Sequence, residues 1–294
     1  MLTQDNHPNT RSCHSTHIPK KSIGTHYNLG RKEFYGSLLA VFLFVFTMSC
    51  SAGPLQPEDQ QRTEQPKDKK PFVFTNTVLT LTFDDGDADN YEIRQDLLRN
   101  DIHATFYMVS SFIGKSGYMS ETQLRTLYDD GNEIGGHSLD HINLNGLHGE
   151  DLNHEICQDR TNLISYGFEV VSFAYPFGSM TDEAKKTVED CGYETARIVS
   201  GGPETLPVLD RYALRPMPYI VDDTRLPKMF RYIRQTEVDG GGWVIFTFHH
   251  VCDDCDYYSV SPNIFSDFTN WLGEQQKNGL VILTIQDVMK KPIP

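Results

Sequence analysis

The chain has 294 residues and carries 26 Lys and Arg against 40 Asp and Glu, a formal net charge of −14. That acidity argues against general nucleic-acid binding, which rests on cations neutralising phosphates. The one strongly apolar run, Leu38–Phe46, is too short for a typical spanning helix, so a polytopic membrane protein is excluded. No three- or seven-residue repeat runs through the chain, which excludes a collagen-like or coiled-coil fibre.

Residues 1–33 hold Arg11, Lys20, Lys21, Arg31 and Lys32 against Asp5 and Glu33. The apolar stretch 38–48 and the small residues Ser49, Cys50, Ser51 and Ala52 follow. Basic, apolar and small residues in this order describe an export signal. Residues 1–50 are therefore expected to be a signal peptide or a membrane or lipid anchor. Cys50 follows Thr-Met-Ser and resembles a lipoprotein cleavage box, which would anchor the protein by lipid in the cell envelope. The alternatives are a freely secreted protein and an uncleaved signal anchor. Residues 51–71 are polar and proline-bearing and read as a disordered tether. Residues 1–33 contribute +3, so the remainder carries −17.

From Val78 onward, strand and helix signals alternate. Strands are expected at 78–83, 104–109, 133–137, 170–175, 195–199, 213–219, 243–249 and 280–284. Ser120-Glu-Thr-Gln123 is a capping box that opens a helix ending at Gly131. A second helix runs from Asp182 to a stop at Gly192. A third opens on Ser261-Pro262 and stops at Gly279. Repeated strand–helix units imply a parallel sheet in one α/β domain over residues 72–294, a distorted (β/α) barrel of seven or eight strands.

Four clusters at expected strand ends carry chemistry. Asp84-Asp85-Gly86 places two adjacent carboxylates where an apolar strand runs out. Adjacent side chains can diverge there, one to a metal and one to a proton. Gly135-Gly136-His137-Ser138-Leu139-Asp140-His141 sets two histidines four apart, on one face if the turn is helical. One Asp and two His supply the three protein ligands of a catalytic zinc. Tyr175-Pro176-Phe177-Gly178 and Phe248-His249-His250 end two more strands. Each cluster alone reads as an ordinary turn or a strand-end histidine. Together they supply three ligands, a spare carboxylate and a spare imidazole at the end where parallel barrels hold their active sites.

These motifs, in this order, resemble the polysaccharide deacetylases with a NodB-homology domain, carbohydrate esterase family four. The resemblance covers Thr77 to about Met289. It implies a hydrolase that removes N-acetyl groups, or O-acetyl groups, from an N-acetylglucosamine polymer or similar polysaccharide. It implies one divalent ion, zinc with cobalt or nickel accepted, on Asp85, His137 and His141. It casts Asp84 as general base and His249 as general acid, with His250 the competitor for that role. Pro176 and Phe177 would line the groove, with a backbone N–H holding the oxyanion.

Three positions depart from the family pattern. Ala174 stands where an arginine usually contacts the base, and Arg215 is the expected substitute. The fourth motif, normally an Asp with a Trp, is not recognisable, and Asp210 and Asp222 are the candidates to orient His249. Thr247 replaces a leucine of the acetate pocket. The alternatives to a deacetylase are a catalytically silent carbohydrate-binding protein and a hydrolase of a small amide.

Cys13 and Cys50 lie in the signal, leaving Cys157, Cys191, Cys252 and Cys255. An even number in an exported chain suggests disulfides. Cys252-Asp-Asp-Cys255 reads first as a small disulfide-closed loop and second as half of another zinc site. The implied partner is the acetylated polysaccharide, with no nucleic acid and no protein partner. Membrane contact is confined to the N-terminal segment.

Overall fold

The computed structural model describes residues 72–290. The signal and tether expected over 1–50 and 51–71, with Cys13 and Cys50, lie outside the described residues.

The strands are β1 (Thr77–Phe83), β2 (Thr105–Met108), β3 (Glu133–Gly136), β4 (Ser172–Ala174), β5 (Thr195–Arg197), β6 (Gly242–Phe248), β7 (His250–Val251), β8 (Ser259–Val260) and β9 (Val281–Ile282). The helices are α1 (Arg94–Arg99), α2 (Glu121–Asp129), α3 (Gly149–Asn153), α4 (Asp159–Ser165), α5 (Asp182–Asp190), α6 (Leu226–Val238), α7 (Pro262–Gln276) and α8 (Ile285–Lys290). A curled, wholly parallel sheet of seven strands has the order β5-β4-β3-β2-β1-β6. β9 pairs with Val78 and Leu79 of β1, below the stretch where β2 pairs with Thr82 and Phe83.

β1 and β6 are buried along their whole lengths and pair from Thr77–Gly242 to Phe83–Phe248. Their alternation sorts side chains between two cores. Leu79, Leu81, Phe83, Val244, Phe246 and Phe248 join the large core shared with the helices. Val78, Trp243 and Ile245 face the other way, into a smaller cluster with Tyr107, Ala174 and Leu214. Ile285 and Val288 of α8 belong to that cluster. The α8 amides of Ile285 and Gln286 donate to Thr105 Oγ1 at 3.0 Å and Glu133 Oε2 at 2.9 Å, near the start of β2 and β3.

The expected strand at 213–219 does not form. Its only ladder contact is the Arg197–Leu214 bridge. Pro216 and Pro218 lack N–H donors, so a continuous ladder is impossible. The segment instead alternates partners. Leu214 exchanges bonds with Ala196 and Ile198 on the β5 side, while Met217 and Ile220 donate to Ile245 and Thr247 of β6. The two sheet edges are thus bridged by an irregular strap.

The helix signals hold. Ser120 and Gln123 form both halves of the capping box, and Gly131 turns the chain at φ 94°. Thr181 caps α5 through Ala184 N, and Gly192 follows it at φ 90°. Pro262 opens α7, although the Ser261 hydroxyl makes no capping bond. A π-helical stretch, His154–Gln158, joins α3 to α4. Cys157 in that stretch is disulfide-bonded to Cys191 at the end of α5, and Cys252 is bonded to Cys255.

Candidate metal and catalytic site

β1 delivers Asp84 and Asp85 at its carboxyl end. The Asp84 amide still donates to Phe248 O, extending the strand, whereas Asp85 has φ 66° and breaks it. The break separates the two carboxylates. Asp84 is buried, and its Oδ1 accepts a hydrogen bond from Arg197 Nη2. Asp85 turns to the histidines: its Oδ1 lies 3.4 Å from His137 Nε2 and 3.2 Å from His141 Nε2.

His137 follows β3. Its Nδ1–H donates to Ala174 O at 2.7 Å, which fixes the tautomer and leaves Nε2 to face Asp85. The i, i+4 pair does not share a helical face. Residues 138–141 form an irregular turn in which Ser138 has φ 68° and His141 φ 53°. Ser138 Oγ accepts from His141 N, and Glu155 O and Oε2 accept from Leu139 N and Asp140 N. The π-helical stretch carries Glu155, so that irregularity supports the turn. The convergence of two histidines that a helical turn would have aligned is achieved here by left-handed backbone.

Four of the six non-glycine residues with positive φ among the described residues are Asp85, Ser138, His141 and Phe177. Backbone strain concentrated this way marks positions held by their surroundings for a purpose. Phe177 is exposed, with its ring 4.6 Å from that of His141, and Pro176 beside it is buried. Both sit in a short turn after β4.

His249 and His250 diverge. His249 Nε2 lies 4.0 Å from Asp84 Oδ2. His250 instead has Nδ1 3.3 Å from Asp89 Oδ2 and Nε2 3.5 Å from Asp87 Oδ2. Nδ1 of His249 is buried with no hydrogen-bond partner, so neither Asp210 nor Asp222 orients it. Asp210 pairs with Lys185.

Arg215 does not reach Asp84. Its guanidinium bonds Glu204, a buried carboxylate, with Nη2 3.0 Å from Oε1. The cation on Asp84 is Arg197, fully buried and stacked 4.7 Å over the Tyr107 ring. Arg197 pairs in register with Ala174 on the neighbouring strand. The arginine missing at position 174 therefore stands one strand over, at the same level. The available signal was an Arg interrupting the apolar stretch Ala196 to Val199 on the strand expected at 195–199.

The charges follow from this packing. Burial alone would raise the Asp85 carboxyl, but the close approach of His137, then of His141, pulls it well below the usual range. Burial and the adjacent His137 push His141 down to about 4. Burial opposes a charge on His137, yet the flanking carboxylates raise it. Burial lowers His249.

The donor atoms of Asp85, His137 and His141 lie within 4.8 Å of one another. Asp85 Oδ1 is buried without a hydrogen-bond partner. One carboxylate and two imidazoles around an unsatisfied oxygen fit a divalent ion with an open position. Residues 74–196 match the family model described as polysaccharide deacetylase. Over this segment the chain is similar to the polysaccharide deacetylase family. The Bacillus subtilis protein YxkH, named for the same family, is 30% identical over 132 residues, which cover 44% of this chain and 46% of that one. A peptidoglycan-N-acetylglucosamine deacetylase of Bacillus cereus is 28% identical over 143 residues, 48% of this chain and 62% of that one. The matched region thus spans 46% and 62% of the lengths of these two relatives. A CE4 family pseudoenzyme from Bacillus anthracis superposes with a TM-score of 0.51 at 15% identity, covering 73% of this chain and 66% of that one, a likeness of fold.

Proposed function

We propose that this protein is a metal-dependent hydrolase that cleaves N-acetyl groups from a cell-wall or extracellular polysaccharide built on N-acetylglucosamine. The observation that carries the reading is the convergence of Asp84, Asp85, His137, His141 and His249 at one end of the sheet, around an unsatisfied Asp85 oxygen. Asp85, His137 and His141 would hold the ion, zinc by preference with cobalt or nickel as substitutes. When bound, such an ion supplies Lewis-acid polarisation of the acetyl carbonyl and a lowered pKa for water.

The residues divide the remaining work. Arg197 occupies one oxygen of Asp84 and orients the carboxylate, leaving Oδ2 on the side of His137 and His249. Asp84 takes the proton of the attacking water. The backbone N–H of Phe177 stabilises the oxyanion. His249 gives a proton from Nε2 to the departing amine, so that amide and water become acetate and a free amino sugar. Phe177, exposed beside His141, lines the groove, and Pro176 is buried beside it as its support.

A catalytically silent carbohydrate-binding protein was favoured only by Ala174. Arg197 supplies the missing cation and removes that argument. Export by residues 1–50 would bring the enzyme to envelope polymers. The test is acetate release from chitin oligomers and from peptidoglycan. Activity that a chelator abolishes and zinc restores supports the reading. A metal-loaded protein that binds these polymers without releasing acetate from any of them refutes it.

A further inference from the structure

A second constellation lies beside the first. Asp89, His250, Cys252 and Cys255 bring one donor atom each within 4.8 Å of the others. They come from two segments: Asp89 from the turn Ala88–Tyr91, the rest from β7 and the loop after it. None of them belongs to the catalytic set.

The two segments are stitched together. Asn90 Nδ2 donates to His249 O at 2.6 Å, and Val251 N donates to Asp89 Oδ2 at 2.9 Å. β7 and β8 pair through His250–Ser259 and Val251–Val260, which closes the loop of residues 252–258. His250 has one nitrogen toward Asp89 and the other 3.5 Å from Asp87 Oδ2. A carboxylate behind the second nitrogen is the usual support of a metal-bound histidine.

The surroundings are acidic. Asp253, Asp254 and Asp256 share the loop with the cysteines. Among the described residues no Lys or Arg forms an ion pair with Asp87, Asp89 or these three; their only cationic partner is His250. Two cysteines separated by two residues, one imidazole and one carboxylate make a four-coordinate thiolate site of the kind zinc fills.

We propose that Cys252, Cys255, His250 and Asp89 form a second, structural zinc site when the two cysteines are in the dithiol form. In the structure the two sulfurs are joined as a disulfide. A thiol reductant supplies the two electrons and two protons that open it, and is itself oxidised to its disulfide. Both protons then leave as the thiolates bind the ion. The bound ion fastens the loop to the turn at Asp89. That loop carries Tyr258, whose ring lies 5.1 Å from His249, and Tyr257 against it. The site therefore positions the aromatic wall behind His249 and takes no part in the chemistry. The proposal is independent of the catalytic reading.

Cobalt distinguishes the two sites, because only this one offers thiolates. The full chain is reduced and titrated with Co²⁺, with Asp85→Ala as a companion to remove the catalytic site. The expected result is one equivalent bound by the Asp85→Ala protein, with a thiolate-to-cobalt charge-transfer band in both proteins. Cys252→Ser with Cys255→Ser abolishes the band, and Asp87→Asn weakens binding about 10–100-fold, as loss of an outer carboxylate does elsewhere. A reduced wild-type chain without the band overturns the proposal, whether its thiols titrate as free or the disulfide resists reduction. A band unchanged by both His250→Ala and Asp89→Ala overturns it as well.

Discussion

Arg197 and Asp84 form a buried ion pair across 113 residues of sequence, and the arginine stands in register with Ala174. The pair joins the carboxyl end of β1 to that of β5, four steps across the sheet. It fixes one oxygen of the proposed base.

This pairing separates two arginines by function. Arg197→Ala leaves a buried carboxylate without its partner, which costs about 3–5 kcal/mol. In whatever fraction folds, kcat falls on the order of a hundredfold as Asp84 loses its orientation. Arg197→Lys recovers the fold better than the activity, because an ammonium lacks the planar fork. Arg215→Ala leaves kcat unchanged and lowers stability, since it exposes Glu204 to the loss of its partner. Urea unfolding and steady-state kinetics on the three variants check this. A kcat that follows Arg215 and ignores Arg197 would contradict it.

Gly135 and Gly136 leave room for buried polar side chains. A Cβ at Gly136 would collide with Tyr193 Oη and Asp159 Oδ2, which are hydrogen-bonded to each other at 2.9 Å. A Cβ at Gly135 would sit 2.6 Å from the Tyr107 ring and 2.7 Å from Ser172 Oγ. Gly136→Ala is expected to cost about 1–3 kcal/mol by overpacking. It should also loosen metal binding, because His137 is the next residue. Thermal unfolding and a metal titration on the same variant provide the check, and wild-type values in both would refute the steric argument.

How much was readable from sequence follows from what each feature depends on. The Asp84-Asp85 and His137–His141 clusters are contiguous, so their chemistry was visible before any fold. The helices at 121–129 and 182–190 carried their own caps. The Arg197–Asp84 contact was not visible, because it depends on two strands that are distant in sequence. The nearest visible candidate, Arg215, was already committed to Glu204. The strand expected at 213–219 failed for a local reason that was legible in Pro216 and Pro218. The helical geometry expected of His137 and His141 failed for the opposite reason: left-handed Ser138 and His141 are held by tertiary contacts that include Glu155.

Glu237 clamps the start of β1. Its carboxylate accepts from Thr75 N and Oγ1, Asn76 N and Thr77 Oγ1. Burial pushes the group up, but these four donors outweigh it and hold it below the usual range. A depressed folded pKa gives stability that is present above the unfolded value of about 4.3 and is lost as pH falls through the folded value. Glu237→Gln should therefore cost about 1–2 kcal/mol at neutral pH, modest because the carboxylate is partly solvated. The gap between variant and wild type should narrow in acid. Urea unfolding at neutral and acid pH measures it, and a gap independent of pH would rule the clamp out.

The central claim is that adjacent carboxylates do different work, Asp84 on the proton and Asp85 on the metal. The direct test is zinc content and acetate release measured side by side for Asp84→Asn and Asp85→Asn. The account predicts that Asp84→Asn keeps its zinc while turnover falls by about 10²–10⁴-fold, the usual contribution of a general base. It predicts that Asp85→Asn loses both. An Asp84→Asn protein stripped of zinc, or an Asp85→Asn protein that retains full zinc and full turnover, would contradict it.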